Sequence, residues 1–230
     1  MQSMEHGTFL RLAGLLALYF IGYLWLVPRL AVILTLAIDP QAELINTYVL
    51  SCLYAVIIVL SLLLTKRQWK ESLRKILKKP VSSVFKILFG AVCVLLLNVV
   101  LSMICSMLSG QVNSVNQEVI RDNVTAAPFY MMFTTMVFAP IVEESVFRGG
   151  IFAYCRKYLG FFWSAMLSAL AFGAIHVMDS IIAGNWSDVI FLIVYAGIGA
   201  ANAWYYEHYE GIASSAGIHF LNNMISYLAI

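Results

Sequence analysis

Residues 89–108 read FGAVCVLLLNVVLSMICSML, twenty consecutive positions without an acidic or basic side chain. The hydrocarbon core of a bilayer takes about 20 apolar residues of helix, so this stretch alone is long enough to span it. The rest of the chain has the same character: of its 230 residues 62% are hydrophobic and 11% charged, with a mean hydropathy of +0.87. A soluble domain carries about 25% charged residues, more than twice this share, which excludes a soluble domain with a large core. The expected fold is all-α, a polytopic membrane helical bundle with about seven to eight transmembrane helices, forming a single membrane domain over residues 1–230. The four cysteines, Cys52, Cys93, Cys105 and Cys155, form no CxxC pair. They read as small buried hydrophobes, not as disulfides or metal ligands.

Taken in order, the expected spans are residues 9–38, 44–65, 81–108, 128–158, 161–178, 189–206 and 212–230. Pro28-Arg29 interrupts the first, which is read either as one tilted helix kinked at the proline or as a helix and a re-entrant piece. Its apolar run is too long for a signal peptide and lacks a small-residue cleavage pattern, so it is read as a retained span. The last four residues, Tyr-Leu-Ala-Ile, hold no cysteine for a lipid anchor. Pro140 is expected to bend or break the fourth span, and residues 109–127 are expected to form a polar loop.

From Lys66 to Lys79 the chain reads KRQWKESLRKILKK, seven basic residues against Glu71 alone. With Leu73, Ile76 and Leu77 at helical spacing, it reads as an amphipathic helix on an anionic lipid surface and not as a nucleic-acid-binding run. The basic run sets the topology: Lys66 to Lys79 and the Arg156-Lys157 turn inside, residues 39–43 and 109–127 outside. Trp163, Trp186, Trp204 and Tyr205 fall near span ends, as an aromatic belt does. The small residues from Gly197 to Ala201 allow close helix packing.

Against this background, Glu143-Glu144-Ser145-Val146-Phe147-Arg148-Gly149-Gly150 stands out. Each ionisable group at membrane depth costs about 2.5–3.5 kcal/mol even on the lenient insertion scale. Glu144 and Arg148 are four apart, on one face of a helix, and read as a structural ion pair. Glu143 points along another face and is left as a candidate base. Two further pairs have the same spacing: Phe172 with His176, and His219 with Asn223. Each alone has an ordinary explanation, since a lone histidine on an apolar helix is more often a packing residue and Asn223 can simply bond a neighbouring helix. Together, an unpaired carboxylate, two histidines and an amide on three helices make a set able to hydrolyse a peptide bond. Counted from a turn near Gly160, Glu143 and His176 lie at similar depth, about 20 and 24 Å along adjacent antiparallel helices. Glu143 and His176 can activate a water while His219 and Asn223 donate to the developing oxyanion. His6 and His208 fall in end or loop regions.

A metal is the rival chemistry. Glu143 or Glu144 with His176 and His219 would supply two histidines and a carboxylate, a set that can hold catalytic zinc. No HExxH is present and the three side chains come from separate helices, so spacing gives no argument for zinc. A metal-independent site, with no cofactor, is favoured.

In order, Glu143-Glu144-x-x-x-Arg148-Gly149, Phe172-x-x-x-His176 and His219-x-x-x-Asn223 resemble the motifs of the CPBP intramembrane proteases, the CAAX prenyl endopeptidase type II or Abi family. The resemblance covers residues 128–230. It implies an all-helical membrane endopeptidase in which Glu143 and His176 activate water, His219 and Asn223 hold the oxyanion, and Glu144, Arg148 and Phe172 support them. It also implies a peptide or lipidated protein terminus as substrate, and for a chain this compact a place in a bacterial cell membrane. Members of the family include prenyl-protein peptidases opening to the cytosol and bacterial proteins tied to bacteriocin immunity. A second class of function is therefore a catalytically silent scaffold or immunity protein that binds a partner such as a sensor kinase. A proton-coupled transporter ranks last, for want of repeat symmetry between halves.

Overall fold

A computed structural model describes residues 8–230, and among these the regular structure is helical throughout. In chain order the helices are α1 (Phe9–Ile38), α2 (Thr47–Lys78), α3 (Pro80–Ser109), α4 (Val115–Ala126), α5 (residues 128–155), α6 (Phe161–His176), α7 (Met178–Ala183), α8 (Trp186–His208) and α9 (Ile212–Leu228). Helices stand at all seven places where spans are expected. Among the described residues α1, α2, α3 and α8 are each long and apolar enough to cross a membrane. By contrast α6 and α9 have 16 and 17 residues, and α5 carries Glu143, Glu144 and Arg148 within its length.

Burial separates the helices into two groups. In the most apolar windows of α1, α2 and α3 only 17%, 11% and 17% of residues are buried, against 44% in α8. The first three therefore turn most of their side chains outward, where a bilayer would meet them, and α8 runs through the interior. The apolar core forms three clusters: Leu15, Tyr19, Ile57, Phe147 and Phe172 join α1, α2, α5 and α6, Val94, Val194, Ile198 and Ile218 join α3, α8 and α9, and Phe152, Ala165, Ala203, Tyr206 and Ile212 join α5, α6, α8 and α9. Small residues let α6 and α8 pack backbone against backbone. A Cβ on Gly173 would sit 3.0 Å from both Ala196 N and Leu192 O, so any larger residue here pushes the two helices apart by a few tenths of an ångström.

Four expectations are corrected or narrowed. Residues 66–79 are not a separate surface helix, because nothing between Thr65 and Lys78 breaks α2. One face of this segment is tied to protein instead: Gln68 Nε2 donates to Gly149 O at 3.1 Å, Trp69 Nε1 to Ser145 Oγ at 3.2 Å, and Ser72 Oγ accepts from Ala213 N at 2.9 Å. Residues 109–127 are not all loop. Gly110 ends α3 with φ at 72°, and Ser114 then caps α4 by accepting from Gln117 N at 3.2 Å.

The third point concerns both prolines: of the alternatives expected, the break at each is excluded, and the first span is one helix. Pro28 and Pro140 each follow a π-helical stretch, Ala17–Leu26 and Thr134–Phe138. The wide turn bonds Val27 N to Gly22 O and Ala139 N to Thr134 O, five residues back, which lets the chain pass a residue without an N–H. A further π-helical stretch, Glu144–Phe152, follows the α-turn that holds Pro140. Lastly, the cysteines are free, but only Cys105 is fully buried and Cys52 is exposed on outward-facing α2.

Candidate active site

The charged motif begins where α5 changes from α to π winding. Glu144 and Arg148 are fully buried, with Arg148 Nη1 2.9 Å from Glu144 Oε1. Arg148 Nη2 donates to Gly199 O at 3.0 Å, and its guanidinium lies 4.7 Å from the Phe172 ring centroid. The same Glu144 oxygen accepts from His219 Nδ1 at 3.2 Å and from Asn202 Nδ2 at 3.4 Å. One carboxylate oxygen thus gathers groups from α5, α8 and α9. Two charges at this depth are tolerable only because each is paired and further hydrogen-bonded.

This pairing fixes the ring of His219. A carboxylate held by an arginine accepts only, so Nδ1 carries the proton. Nε2 is then turned towards Glu143 and stands 3.8 Å from its Oε2. That oxygen is buried and has no hydrogen-bond partner, although buried polar atoms are nearly always satisfied. An oxygen and a nitrogen 3.8 Å apart can share one water at ordinary hydrogen-bond length from each.

His176 is oriented by its own helix. Its Nδ1 is 2.8 Å from Phe172 O, a carbonyl that can only accept, so Nδ1 donates and Nε2 is left as the acceptor. The ring stacks on Tyr195, with centroids 4.4 Å apart and planes 18° from parallel. Phe172 lies against the same imidazole at 4.6 Å. Asn223 Nδ2 donates to Thr135 O at 2.9 Å while its Oδ1 accepts from Asn222 Nδ2 at 3.3 Å. The second Nδ2 hydrogen of Asn223 is left for another acceptor.

A cavity of about 490 Å³ brings together Glu143, Phe172, His176, His219, Asn222 and Asn223 in its lining. Glu144 and Arg148 are not among the lining residues and support the site from behind. The histidine in ion-pair range of Glu143 is His219, where the spacing argument placed His176 beside it. The difference follows from the Glu144–His219 bond, which spacing along α5 cannot show. His208 is exposed and stacked on Trp204, and His6 lies outside the described residues.

Three neighbours were not anticipated. Asn202 touches Glu144, Asn222 lines the cavity beside Asn223, and Tyr195 backs His176. Asn202 is the one asparagine within α8's apolar 192–204 run, and Asn222 lies three residues after His219, so both carried a signal. Tyr195 carried none.

The donor set does not close around a metal. Among the described residues no three His, Cys, Asp or Glu side chains gather closely enough to hold an ion. Glu143 and His219 converge, but His176 does not complete the trio.

Residues 125–225 match the Rce1-like family of type II CAAX prenyl endopeptidases. That match contains Glu143, His176, His219 and Asn223, together with Glu144, Arg148 and Phe172. The chain is also similar to YdiL of Bacillus subtilis (strain 168), named as a proposed membrane peptidase, at 27% identity over 110 residues. This covers 48% of the present chain and 41% of YdiL, so less than half of that relative's length is spanned. No solved structure matches the chain.

Proposed function

We propose that this chain is an intramembrane endopeptidase that hydrolyses a peptide bond near the terminus of a membrane-associated or lipidated protein or peptide. The observation that carries the reading is the orphaned Glu143 Oε2, facing His219 Nε2 at 3.8 Å on the wall of the cavity. Glu143 takes a proton from a water held between these two atoms, and the hydroxide adds to the substrate's carbonyl carbon. His176, with Nε2 open as an acceptor, helps to orient that water. The oxyanion accepts from Asn223 Nδ2, while His219 Nε2, unprotonated, holds the attacking water by accepting its second hydrogen. The proton on Glu143 then passes to the departing amine. No step uses a metal. Glu144 and Arg148 hold His219 in the required tautomer and orientation and do not touch the substrate.

The relative's name and the matched family support peptide-bond hydrolysis at a membrane. The basic residues from Lys66 to Lys79 lie at the opposite end of the bundle from the cavity mouth, and the reading puts them against anionic lipid on the cytoplasmic face. Cleavage of prenylated and non-prenylated peptides by purified protein in nanodiscs tests the proposal. The wild-type protein cuts at least one of the two classes, and Glu143→Gln cuts neither. A fully active Glu143→Gln protein removes the assignment.

A further inference from the structure

The cavity does not end at the catalytic groups. One face of α4 lines it through Asn116, Gln117, Ile120 and Arg121, residues three to four apart along the helix. None of α4's residues is buried, so this helix covers the mouth while staying at the surface. Its start is anchored: Val115 N donates to Asp188 Oδ1 at 2.8 Å, and Ser114 Oγ bonds Tyr195 OH at 2.7 Å. The remaining walls near the mouth come from the last half of α3, the first half of α5 and the end of α9. All of these lie at the end of the bundle opposite Lys66 to Lys79.

Arg121 is the only arginine or lysine among the lining residues. Its guanidinium forms no ion pair with the described residues, in contrast to Arg148 and Arg156, whose partners are Glu144 and Glu207. On α4 itself, Glu118, three residues before Arg121, accepts from Asn113 Nδ2, and Asp122 is the next residue along the chain. A cation thus stands free at one end of a cavity whose other end holds Glu143. Along α5 the lining runs from Met131 to Glu143, about 18 Å at about 1.5 Å per residue. An extended peptide rises about 3.3 Å per residue and covers that length in about five residues.

We propose that Arg121 is the subsite for a carboxylate of the substrate peptide, held about four or five residues beyond the bond at Glu143. This rests on the endopeptidase reading and adds to it a substrate class and an entry side. A guanidinium is suited to two parallel charge-assisted bonds with a carboxylate. The carboxylate is either the peptide's own C-terminus or an Asp or Glu side chain at that position. The peptide enters from the α4 side, which the basic end of α2 makes the non-cytoplasmic face.

The test uses full-length protein in nanodiscs and a fluorescent peptide series differing only at the far end: free acid, C-terminal amide, and amide with Asp four or five residues past the cut bond. Amidation raises KM by about tenfold or more, the loss expected for a charge-assisted pair, with kcat within about twofold. Arg121→Met abolishes the discrimination and Arg121→Lys keeps part of it. Recovery by the Asp peptide assigns the side-chain source, and no recovery assigns the C-terminus. Binding of the same peptides to the Glu143→Gln protein separates the two claims. If nothing is cut but the free acid binds through Arg121, hydrolysis is wrong and the subsite stands. If acid and amide bind alike, if neither binds, or if Arg121→Met retains the preference, the subsite is overturned.

Discussion

Replacing Glu144 by alanine removes the acceptor shared by Arg148 at 2.9 Å, His219 at 3.2 Å and Asn202 at 3.4 Å. Arg148 is then left fully buried with the Gly199 carbonyl as its remaining hydrogen-bond partner. Stripping one partner from a buried ion pair costs about 3–5 kcal/mol, because the remaining charge is uncompensated. The neighbouring Glu143 presents the opposite case. Its Oε2 has no hydrogen bond to lose, so Glu143→Gln changes stability by no more than about 1 kcal/mol in either direction. Adjacent glutamates thus have separable phenotypes: Glu144→Ala is unstable, and Glu143→Gln is stable but inactive. Reversible unfolding in mixed micelles, read by tryptophan fluorescence, measures both. The double variant Glu144→Leu/Arg148→Met recovers most of the loss, since an apolar pair of similar volume has no charge to compensate. Equal losses for Glu143→Gln and Glu144→Ala, or a Glu144→Ala protein as stable as wild type, would refute the division of roles.

Three further outcomes follow from other contacts. Gly173→Ala places a methyl 3.0 Å from backbone atoms of α8, which costs about 1–3 kcal/mol as overpacking and lowers activity by moving His176 relative to Tyr195; unfolding and cleavage assays read the two effects. Asp188→Ala removes the acceptor for Val115 N and Ser180 Oγ, so hydrogen exchange across α4 quickens while that of α2 stays as in the wild type. Outside the spanning segments, burial pushes the Glu210 carboxyl up, but hydrogen bonds from Lys86 and Ser214 and the Lys86 charge outweigh it and hold the group below the ordinary carboxylate range. A group lowered on folding contributes stability above its unfolded pKa and loses it as pH falls through the folded value. Glu210→Gln therefore flattens the acid side of the stability curve and leaves the slope above neutral pH unchanged.

Much of the fold was legible because bilayer thickness imposes a length that shows as apolar runs, and helices stand at each expected place. What failed was local. The basic stretch after Thr65 read as a surface helix because charge pattern says nothing of Gln68 and Ser72, whose partners on α5 and α9 are distant in sequence. A break at either proline stayed open because the wide π turns that accommodate them leave no compositional mark. At the site, the four-residue spacing of Glu144 and Arg148 disclosed their pair directly. The contact of His219 with both glutamates spans about three quarters of the matched region and depends on how α9 is rotated against α5. Sequence spacing could gather the groups, but only geometry shows which histidine faces which carboxylate.

The central claim is that Glu143 is the base and that no metal takes part. Single-turnover cleavage of one accepted peptide, by wild-type and Glu143→Gln proteins with and without a strong chelator, tests it most directly. The account predicts equal wild-type rates in both conditions and no product from Glu143→Gln in either. A Glu143→Gln protein that cuts at the wild-type rate, or wild-type cleavage lost to the chelator and restored by zinc, would contradict it.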